Sequence, residues 1–361
     1  METLKKQLNI LLIMPTFYNL SQVIVNELTK EGHKVTFIEN KIFKEDFRLL
    51  KTFMSGFFFI INPFYKIIYT KQVIQKIENR KFDLLLTIGH LSTTHALFKH
   101  LKDSNPKIKT VLYLWDSFSA WDFSFLLDYF DYKYSFDRED CKKFAAKNLI
   151  YFPLFFDFND EQNIQKNLLY DITHIGTINK YYNTRLKILN AIIRQTKALG
   201  IRTYIRVFAN VLNSSFFKRK KIISYFYERI LYLFDTKFRK HINLVRKNID
   251  KGFMFSSSLN QKLFNQIENQ SKCILDINVD VNTGISNRVI RAIAMGKKVI
   301  TTNTHIINED FYDPDNIYIL DKDNPVIDMD FVNKPFKKVD IYYLRVDKWI
   351  SKIFKDIHIY D

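Results

Sequence analysis

Cysteine, glycine and proline are all scarce in this sequence of 361 residues. The two cysteines, Cys141 and Cys273, lie far apart, and neither belongs to a CxxC pair or a Cys/His cluster. We therefore expect neither a disulfide framework nor a zinc site, and the cysteine usage fits a reducing cytosol. The few glycines and prolines accompany many Lys, Ile, Asn and Phe residues, which indicates a base-composition bias and carries no functional information.

Long apolar runs are also missing. The first residues, Met1–Lys6, are polar, and the apolar run Ile10–Met14 is too short for the core of a signal peptide. The stretch Phe53–Tyr69 contains Pro63 and Lys66, and it falls short of the roughly 20 apolar residues that a membrane span requires. We expect the first run to be a buried strand and the second to be a helix that is buried or faces an interface.

Acidic residues are outnumbered, with 38 Asp and Glu against 55 Lys and Arg, which gives a net charge of +17. Such a charge favours anionic partners: nucleic acid, phosphorylated substrates or an acidic membrane face. The segment Phe216–Lys251 alone holds 11 basic and 3 acidic residues, and its aromatic and aliphatic residues recur with a helical period. It is either a basic amphipathic helix that lies on an anionic membrane surface or a solvated helical insertion.

The remaining sequence predicts two α/β domains. Hydrophobic residues make up 47% of the chain and charged residues 26%, which argues against disorder and against a polytopic membrane protein. Apolar runs alternate with helical patterns, as in doubly wound sheets. We place one Rossmann-like domain at 1–158 and a second at 168–340, with a helical insertion at about 213–250. A terminal helix within 341–361 could pack back on the first domain.

The predicted strands are short and bounded by turn residues. Those of the first domain cover residues 8–14, 34–39, 82–88, 109–114 and 131–136, and those of the second cover 170–175, 202–208, 271–277, 298–302 and 317–320. Ligands of open α/β sheets bind beyond the carboxyl ends of the strands. We therefore look for functional residues directly after each predicted strand.

The segment from Asn282 to Asn303, NTGISNRVIRAIAMGKKVITTN, has the pattern of a glycine turn, a helix and a buried strand. Free amides and the helix dipole make a helix N-terminus a good phosphate site. Gly284 would let the backbone approach a ligand closely, and Ser286 could cap the helix or donate to phosphate. Asn287 opens the helix, and Arg288 adds a fixed positive charge. The alternative is an ordinary helix whose serine is its cap.

This segment resembles the donor-nucleotide region of GT-B glycosyltransferases, especially a group of bacterial capsule and lipopolysaccharide biosynthesis transferases. Further stretches are similar to the same group: YLWDSF at Tyr113–Phe118, FDYKYSFDREDCKKF at Phe130–Phe144, YFPLF at Tyr151–Phe155 and DITHIGTINKYYNTRLKIL at Asp171–Leu189. The resemblance implies an α/β fold of the GT-B type, with two Rossmann-like domains that face each other across a cleft. It also implies that Gly176 and Thr177, expected in a loop after a strand, lie near the donor phosphates.

One position departs from the GT-B pattern. Members of these families often carry a glutamate in the middle of the donor helix, where it holds the ribose hydroxyls, and the matching residue here is Arg291. A guanidinium cannot accept those hydrogen bonds. Either the ribose is held in another way, Arg291 contacts phosphate, or the donor is unusual.

The candidate catalytic residues follow strands of the first domain. An inverting transferase needs a carboxylate or imidazole to accept the proton of the acceptor hydroxyl. Asp116 is one candidate, with Trp115 as a platform for an acceptor sugar, and His90 is the rival base. The alternatives are that Asp116 caps a following helix and that His90 is an ordinary loop residue.

No metal and no cofactor are expected, because the nucleotide-sugar would be a substrate and a GT-B enzyme neutralises the leaving diphosphate with helix dipoles and basic side chains. The sequence thus predicts a cytoplasmic glycosyltransferase, peripheral on the inner face of the membrane if Phe216–Lys251 binds lipid. Its partners would be a nucleotide-sugar donor and a glycan or lipid-linked acceptor in capsule or lipopolysaccharide biosynthesis. The alternatives are a non-catalytic nucleotide-binding subunit of the same fold and a nucleic-acid-binding protein, although no nucleic-acid motif appears and no nucleic acid is expected.

Overall fold

The computed structural model describes residues 6–16, 19–40, 58–119, 122–157, 167–178, 183–209, 253–255, 259–278 and 283–360, with single positions between 233 and 243. The predicted basic insertion at 213–250 therefore lies almost entirely outside the described residues. The chain divides into two compact units. The first contains Met1–Asp157, Val281–Gly284 and Tyr343–Asp361, and the second contains Phe158–Asp280 and Ile285–Tyr342.

The first unit is built on a six-stranded parallel sheet with the order β2-β1-β3-β4-β5-β6. The strands are β1 Asn9–Met14, β2 Lys34–Glu39, β3 Leu84–Ile88, β4 Lys109–Leu114, β5 Tyr132–Ser135 and β6 Leu149–Tyr151. Nearly all residues of β1, β3 and β4 are buried, because helices cover both faces of a parallel sheet. Their continuous apolar runs are the reason that sequence analysis located them.

Helices α1 Leu20–Lys30, α2 Phe58–Ile77, α3 His95–Ser104 and α4 Arg138–Lys143 belong to the same unit. Tyr69, Val73 and Ile77 on one side of α2 are buried in a core that also contains residues of β1, β3 and α3. Residues 58–69 of the stretch Phe53–Tyr69 thus belong to a helix whose residues from Phe64 onward have one buried side, and 53–57 lie outside the described residues. Among the described residues, no helix combines the length and apolar character needed to cross a membrane.

The second unit has its own six-stranded parallel sheet, with the order β12-β11-β10-β7-β8-β9. The strands are β7 Tyr170–Ile178, β8 Thr203–Ala209, β9 Met254–Phe255, β10 Ser271–Asp276, β11 Lys298–Thr301 and β12 Ile317–Ile319. The helices are α5 Asn183–Ala198, α6 Gln261–Asn269, α7 Asn287–Ala294 and α8 Met329–Asn333. The prediction of an α/β fold with two parallel sheets is confirmed.

The last helix, α9 Val346–Asp356, belongs to the first unit. A parallel bridge joins Phe156 to Arg345 directly before the helix. Trp349 is fully buried, with its ring centroid 4.7 Å from that of Tyr113 and 5.4 Å from that of Phe152, and its indole Nε1 donates to the carbonyl of Pro153 at 3.0 Å. Residues from the end of the sequence therefore complete the core beside β4 and β6.

Because Trp349 fills this aromatic core, Trp349→Ala should lower the free energy of unfolding by about 3–5 kcal/mol through the cavity that it leaves. Urea denaturation monitored by circular dichroism measures the change. Lys355→Ala is the matched control, since Lys355 lies on the exposed side of the same helix, and it should shift stability by no more than about 0.5 kcal/mol. Equal effects of the two substitutions would contradict this packing.

Candidate functional site

The carboxyl edge of the second sheet is organised by the buried carboxylate of Asp276, the last residue of β10. Arg288 Nη1 donates to Asp276 Oδ1 at 2.7 Å, and Ser286 Oγ donates to the same oxygen at 3.0 Å. Thr301 Oγ1, at the end of β11, donates to Oδ2 at 3.3 Å. Two of the predicted phosphate ligands, Ser286 and Arg288, therefore bond to one carboxylate, which fixes the start of α7 against the strand ends.

Sequence analysis predicted that Ser286 either caps the helix or donates to phosphate. Ser286 is the N-cap residue of α7. Its hydroxyl, however, makes no side-chain capping bond to the helix. The bond to Asp276 takes the place of that cap. Asn287 is the first residue of the helix, so the predicted helix start is correct to within one residue.

Two guanidinium groups lie at this edge. Arg288 Nη2 donates to the carbonyl of Ile175 at 2.8 Å, and Arg185 Nε donates to the carbonyl of Ile277 at 2.9 Å. Burial, followed by the positive charges of Arg288 and Arg185, lowers the pKa of His174 well below its ordinary value. His174 is therefore a neutral imidazole, chiefly because it is buried, and the two guanidinium charges act in the same direction.

Gly176 and Thr177 lie within β7, where they pair with Val207 and Phe208 of β8. The prediction that they form a loop after the strand is wrong, because β7 continues through Ile178. The glycine is required by packing: an added Cβ would lie 2.8 Å from Nε2 of His174, two residues earlier on the same face of the strand. It would also lie 3.6 Å from Arg288 Nη2, so Gly176 brings the strand backbone close to the guanidinium.

Arg291 is buried on α7 and contacts α6. Its Nη2 donates to Asn265 Oδ1 at 2.9 Å and to Glu268 Oε2 at 3.3 Å. Glu268 is itself buried, and burial raises the pKa of its carboxyl despite the opposing charge of Arg291. These contacts join two helices of the second unit, which differs from the donor contact predicted for Arg291.

The turn at Gly284 has a protein partner for its amide. Gly284 N donates to Asp137 Oδ2 at 3.1 Å, and the amide of Thr283 donates to the same oxygen at 3.2 Å. The hydroxyls of Thr283 and Ser117 also donate to this carboxylate. The expectation that the Gly284 amide is open to a phosphate therefore does not agree with the structure.

Asp137 also caps α4, since its carboxylate accepts hydrogen bonds from the amides of Glu139 and Asp140. Burial alone would raise the pKa of Asp137, but the bonds from Ser117 and Thr283 and from the helix amides together hold it below its ordinary value. Burial raises the pKa of Asp140 to about 6, and the charge of Asp137 acts in the same direction. The ionised Asp137 thus fixes the 283–284 segment that belongs to the first unit.

The carboxyl edge of the first sheet carries the predicted acceptor residues. Trp115 packs on Gly89, where an added Cβ would lie 2.6 Å from the indole Nε1, and Gly89 has a φ of +76°. Burial raises the pKa of Asp116, while a hydrogen bond from the Trp115 side chain lowers it. Among the described residues, the first helical turn after Asp116 begins at Ser124 with Phe123 as its N-cap, so Asp116 does not cap it.

His90 follows β3 at the same edge. Its Nε2 lies 2.9 Å from the hydroxyl of Ser92, and its backbone carbonyl accepts a hydrogen bond from the Asn40 amide group. Asn40 also accepts from the amide of Ser92 at 3.0 Å. Burial and, second, the charge of Lys66 lower the pKa of His90 to about 4. The structure therefore places His90, Trp115 and Asp116 at one edge, with the imidazole neutral near pH 7.

Three Asp-x-Asp pairs occur late in the sequence, at Asp313/Asp315, Asp321/Asp323 and Asp328/Asp330, and they serve local turns. Asp313, Asp321 and Asp328 each accept a hydrogen bond from the amide two residues later. Within the described ranges, no group of three or more His, Cys, Asp or Glu side chains could hold a metal ion. Lys297, a further basic residue near α7, donates from Nζ to the carbonyl of Asn269 at 2.6 Å, and burial lowers its pKa to about 8.

No protein-family model matches this sequence, and no curated protein matches it. The solved structures that share its architecture include the following two. The N-terminal domain of trehalose-6-phosphate phosphatase from Candida albicans has a TM-score of 0.56 at 11% identity, covering 100% of this chain and 98% of that one. UDP-GlcNAc 2-epimerase from Methanocaldococcus jannaschii has a TM-score of 0.50 at 13% identity, covering 96% and 99%.

The chain has a GT-B fold. At these identities the likeness concerns the fold alone, so it assigns neither substrate nor reaction. Sequence analysis had not assigned any function to Asp276, although a carboxylate at the end of a buried strand was a usable signal. Nothing in the sequence links Asp137 to the segment 146 residues later that it binds.

The close contact of Gly284 with Phe136 predicts the direction in which a substitution of Gly284 changes stability. An added Cβ would lie 2.4–2.7 Å from three atoms of the Phe136 ring. Gly284→Ala should therefore lower the free energy of unfolding by about 1–3 kcal/mol. Without the clash, the same change would raise it by up to about 1 kcal/mol, because alanine restricts the unfolded chain.

A double-mutant cycle with Phe136→Leu, measured by urea denaturation, isolates this contact. The smaller side chain should relieve the clash and give a coupling of at least about 0.5 kcal/mol. Additive effects of the two substitutions, or a stabilised Gly284→Ala protein, would show that the ring and the glycine are not in contact.

Proposed function

We propose that this protein is a glycosyltransferase that uses a nucleotide-sugar donor, with a polysaccharide or lipid-linked acceptor of capsule or lipopolysaccharide biosynthesis. The observation that carries the proposal is the positively charged carboxyl edge of the second sheet. Arg288 and Arg185 lie there beside the start of α7, and Asp276 fixes the first of them. This chemistry fits the diphosphate of a nucleotide-sugar.

The fold supports the same proposal. The GT-B fold is shared with a UDP-GlcNAc 2-epimerase, a protein named for a nucleotide-sugar. Carboxyl ends of parallel strands are where such sheets bind ligands, and Gly176 adds a strand backbone without a side chain beside Arg288. In the proposed mechanism, Arg288 and Arg185 neutralise the charge that develops on the leaving diphosphate, and no metal ion takes part.

Asp116 is the proposed general base for the acceptor hydroxyl. Its pKa is raised by burial, which makes its carboxylate a stronger base than an exposed aspartate. His90 is the weaker candidate, because its imidazole and its backbone carbonyl already bond to Ser92 and Asn40. Burial lowers the pKa of His90 to about 4, so the imidazole loses the basicity of an exposed histidine. Trp115 holds Asp116 through its hydrogen bond and packs on Gly89.

Donor binding is tested first. A thermal-shift screen against UDP-, GDP-, CMP- and dTDP-sugars should find one class that raises the melting temperature, and calorimetry then gives its Kd. Arg185→Gln should weaken that Kd by about tenfold or more, because a charged hydrogen-bond donor to the diphosphate is lost. Arg185 Nε donates to the carbonyl of Ile277, so the melting temperature of the ligand-free variant is measured alongside the Kd to show that the fold is kept.

Arg202→Gln is the matched control. Arg202 is 53% exposed and pairs with Asp171 at the opposite, amino end of the second sheet. It should leave the donor Kd within about twofold of the wild-type value. If no nucleotide-sugar binds, or if the two arginine variants lose affinity equally, the donor site proposed here is wrong.

Catalysis is tested separately, with donor and acceptor fractions from lipid-linked and polysaccharide sources. Asp116→Asn should lower the transfer rate by about 10²–10⁴-fold while the donor Kd stays unchanged, and His90→Gln should lower the rate much less. Acceptor-dependent release of nucleotide is the measurement. Tight donor binding without transfer to any acceptor would instead favour a non-catalytic nucleotide-binding subunit.

A further inference from the structure

The segment Trp115–Ser119 follows β4 and carries Asp116, the proposed general base. It lies outside the helices and strands of the first unit, and we call it the base loop. A loop keeps one conformation only where groups outside it hold it in place. Trp115, the first residue of the base loop, packs on Gly89. The residues after Asp116 bond to two carboxylates of α4, which are the subject of this inference.

Asp137, the N-cap residue of α4, holds the base loop through Ser117. The Ser117 hydroxyl donates to Oδ2 of Asp137, and both side chains are buried. The same carboxylate accepts hydrogen bonds from two amides of α4 and from both amides of the turn 283–284. Because bonds from three separate segments fix its orientation, the carboxylate gives the Ser117 side chain a fixed position.

Asp140, within α4, holds the next residue of the base loop. The backbone amide of Phe118 donates to Asp140 Oδ2 at 2.8 Å, and Asp140 is buried. The ring of Phe118 also packs against Phe144, the C-cap residue of α4, with the ring centroids 4.1 Å apart. Two consecutive residues of the base loop are therefore bonded to two carboxylates that lie about one helical turn apart.

We propose that Asp137 and Asp140 are positioning residues for the transfer reaction, because they fix the loop from which Asp116 accepts the acceptor proton. This inference rests on the proposed function, since the placement of Asp116 affects a rate only if Asp116 is the base. A shift of about 1 Å in a reacting group can lower a rate by about 100-fold. Burial raises the pKa of Asp116, so a loop that exposes it to solvent would lower that pKa and weaken the base.

The contacts are tested first in the ligand-free full chain, by hydrogen–deuterium exchange of the peptide that contains Phe118. Asp140→Ala removes the acceptor of the Phe118 amide and should speed exchange of this peptide by about tenfold. Asp140→Asn keeps a side-chain oxygen for the same bond and should exchange as the wild type does. Equal exchange in all three proteins would show that Asp140 does not hold the base loop.

The same change should behave differently at Asp137. Its Oδ2 accepts from the Ser117 hydroxyl and the amides of Thr283 and Gly284, and its Oδ1 accepts from two amides of α4 and the Thr283 hydroxyl. The NH₂ group of an asparagine would face hydrogen-bond donors in either orientation, so Asp137→Asn should lower the melting temperature by about 5 °C or more. Ser117→Ala therefore serves for the rate measurements, because Asp137 keeps its other bonds.

Rates are measured with whichever of the UDP-, GDP-, CMP- and dTDP-sugars raises the melting temperature, and with the acceptor fraction that supports nucleotide release. Ser117→Ala and Asp140→Ala should each lower kcat by about tenfold or more and keep the donor Kd within about twofold of the wild-type value. Asp140→Asn should restore kcat to within about twofold. In Ser117→Ala, which leaves both α4 carboxylates in place, the acid limb of the kcat/KM profile should move to lower pH, because the pKa of a more solvated Asp116 falls.

Thr110→Val is the matched control, because Thr110 makes the same kind of contact near the opposite end of β4. Its buried hydroxyl donates to Asp131 Oδ2 at 2.9 Å. The variant should lose stability, as Ser117→Ala does, while its kcat and the acid limb of its pH profile stay at the wild-type values.

Three results would overturn the positioning role. A wild-type kcat and an unmoved acid limb in Ser117→Ala would do so and leave the proposed function standing. Losses of kcat in Thr110→Val as large as those in Ser117→Ala would show that reduced stability alone explains them. A wild-type protein that transfers sugar from none of the four donor classes would remove the proposed function and this role together.

Discussion

The ion pair between Asp276 and Arg288 is the constraint on which the candidate donor site depends. Asp276 is almost fully buried, and a buried carboxylate without a cation would cost several kcal/mol. Because Arg288 supplies that cation and also bonds to Ile175, the ends of β7 and β10 and the start of α7 are held together. The positive edge that we propose for the diphosphate is therefore rigid before any ligand arrives, which favours tight binding of an anion.

The parallel sheets could be predicted because their buried strands appear in the sequence as continuous runs of apolar residues. β1, β3, β4, β10 and β11 were all found in this way, to within a few residues. Strand length was harder: β7 contains Gly176, which the sequence suggested as a stop, yet the ladder with β8 continues through it. The glycine is present because the ring of His174 occupies the space of its side chain, a fact of packing that no local pattern reveals.

The chemistry of the site could be predicted only in part. The helix start at Ser286 and Arg288 was recognisable, but the partners of its polar groups were not, since these come from distant segments. Gly284 is bonded to Asp137, and Arg291 is paired with Glu268. In a sequence, Asn, Ser and Arg at the start of a helix are equally consistent with contacts to a ligand and with contacts inside the protein. Only the three-dimensional structure distinguishes these two possibilities.

The position of α9 has a consequence for synthesis of the chain. Trp349 fills the aromatic core beside Tyr113 and Phe152, and the bridge at Phe156 requires Arg345. These residues are translated after every residue of the second unit. The aromatic core of the first unit can therefore be completed only after the whole of the second unit has been synthesised.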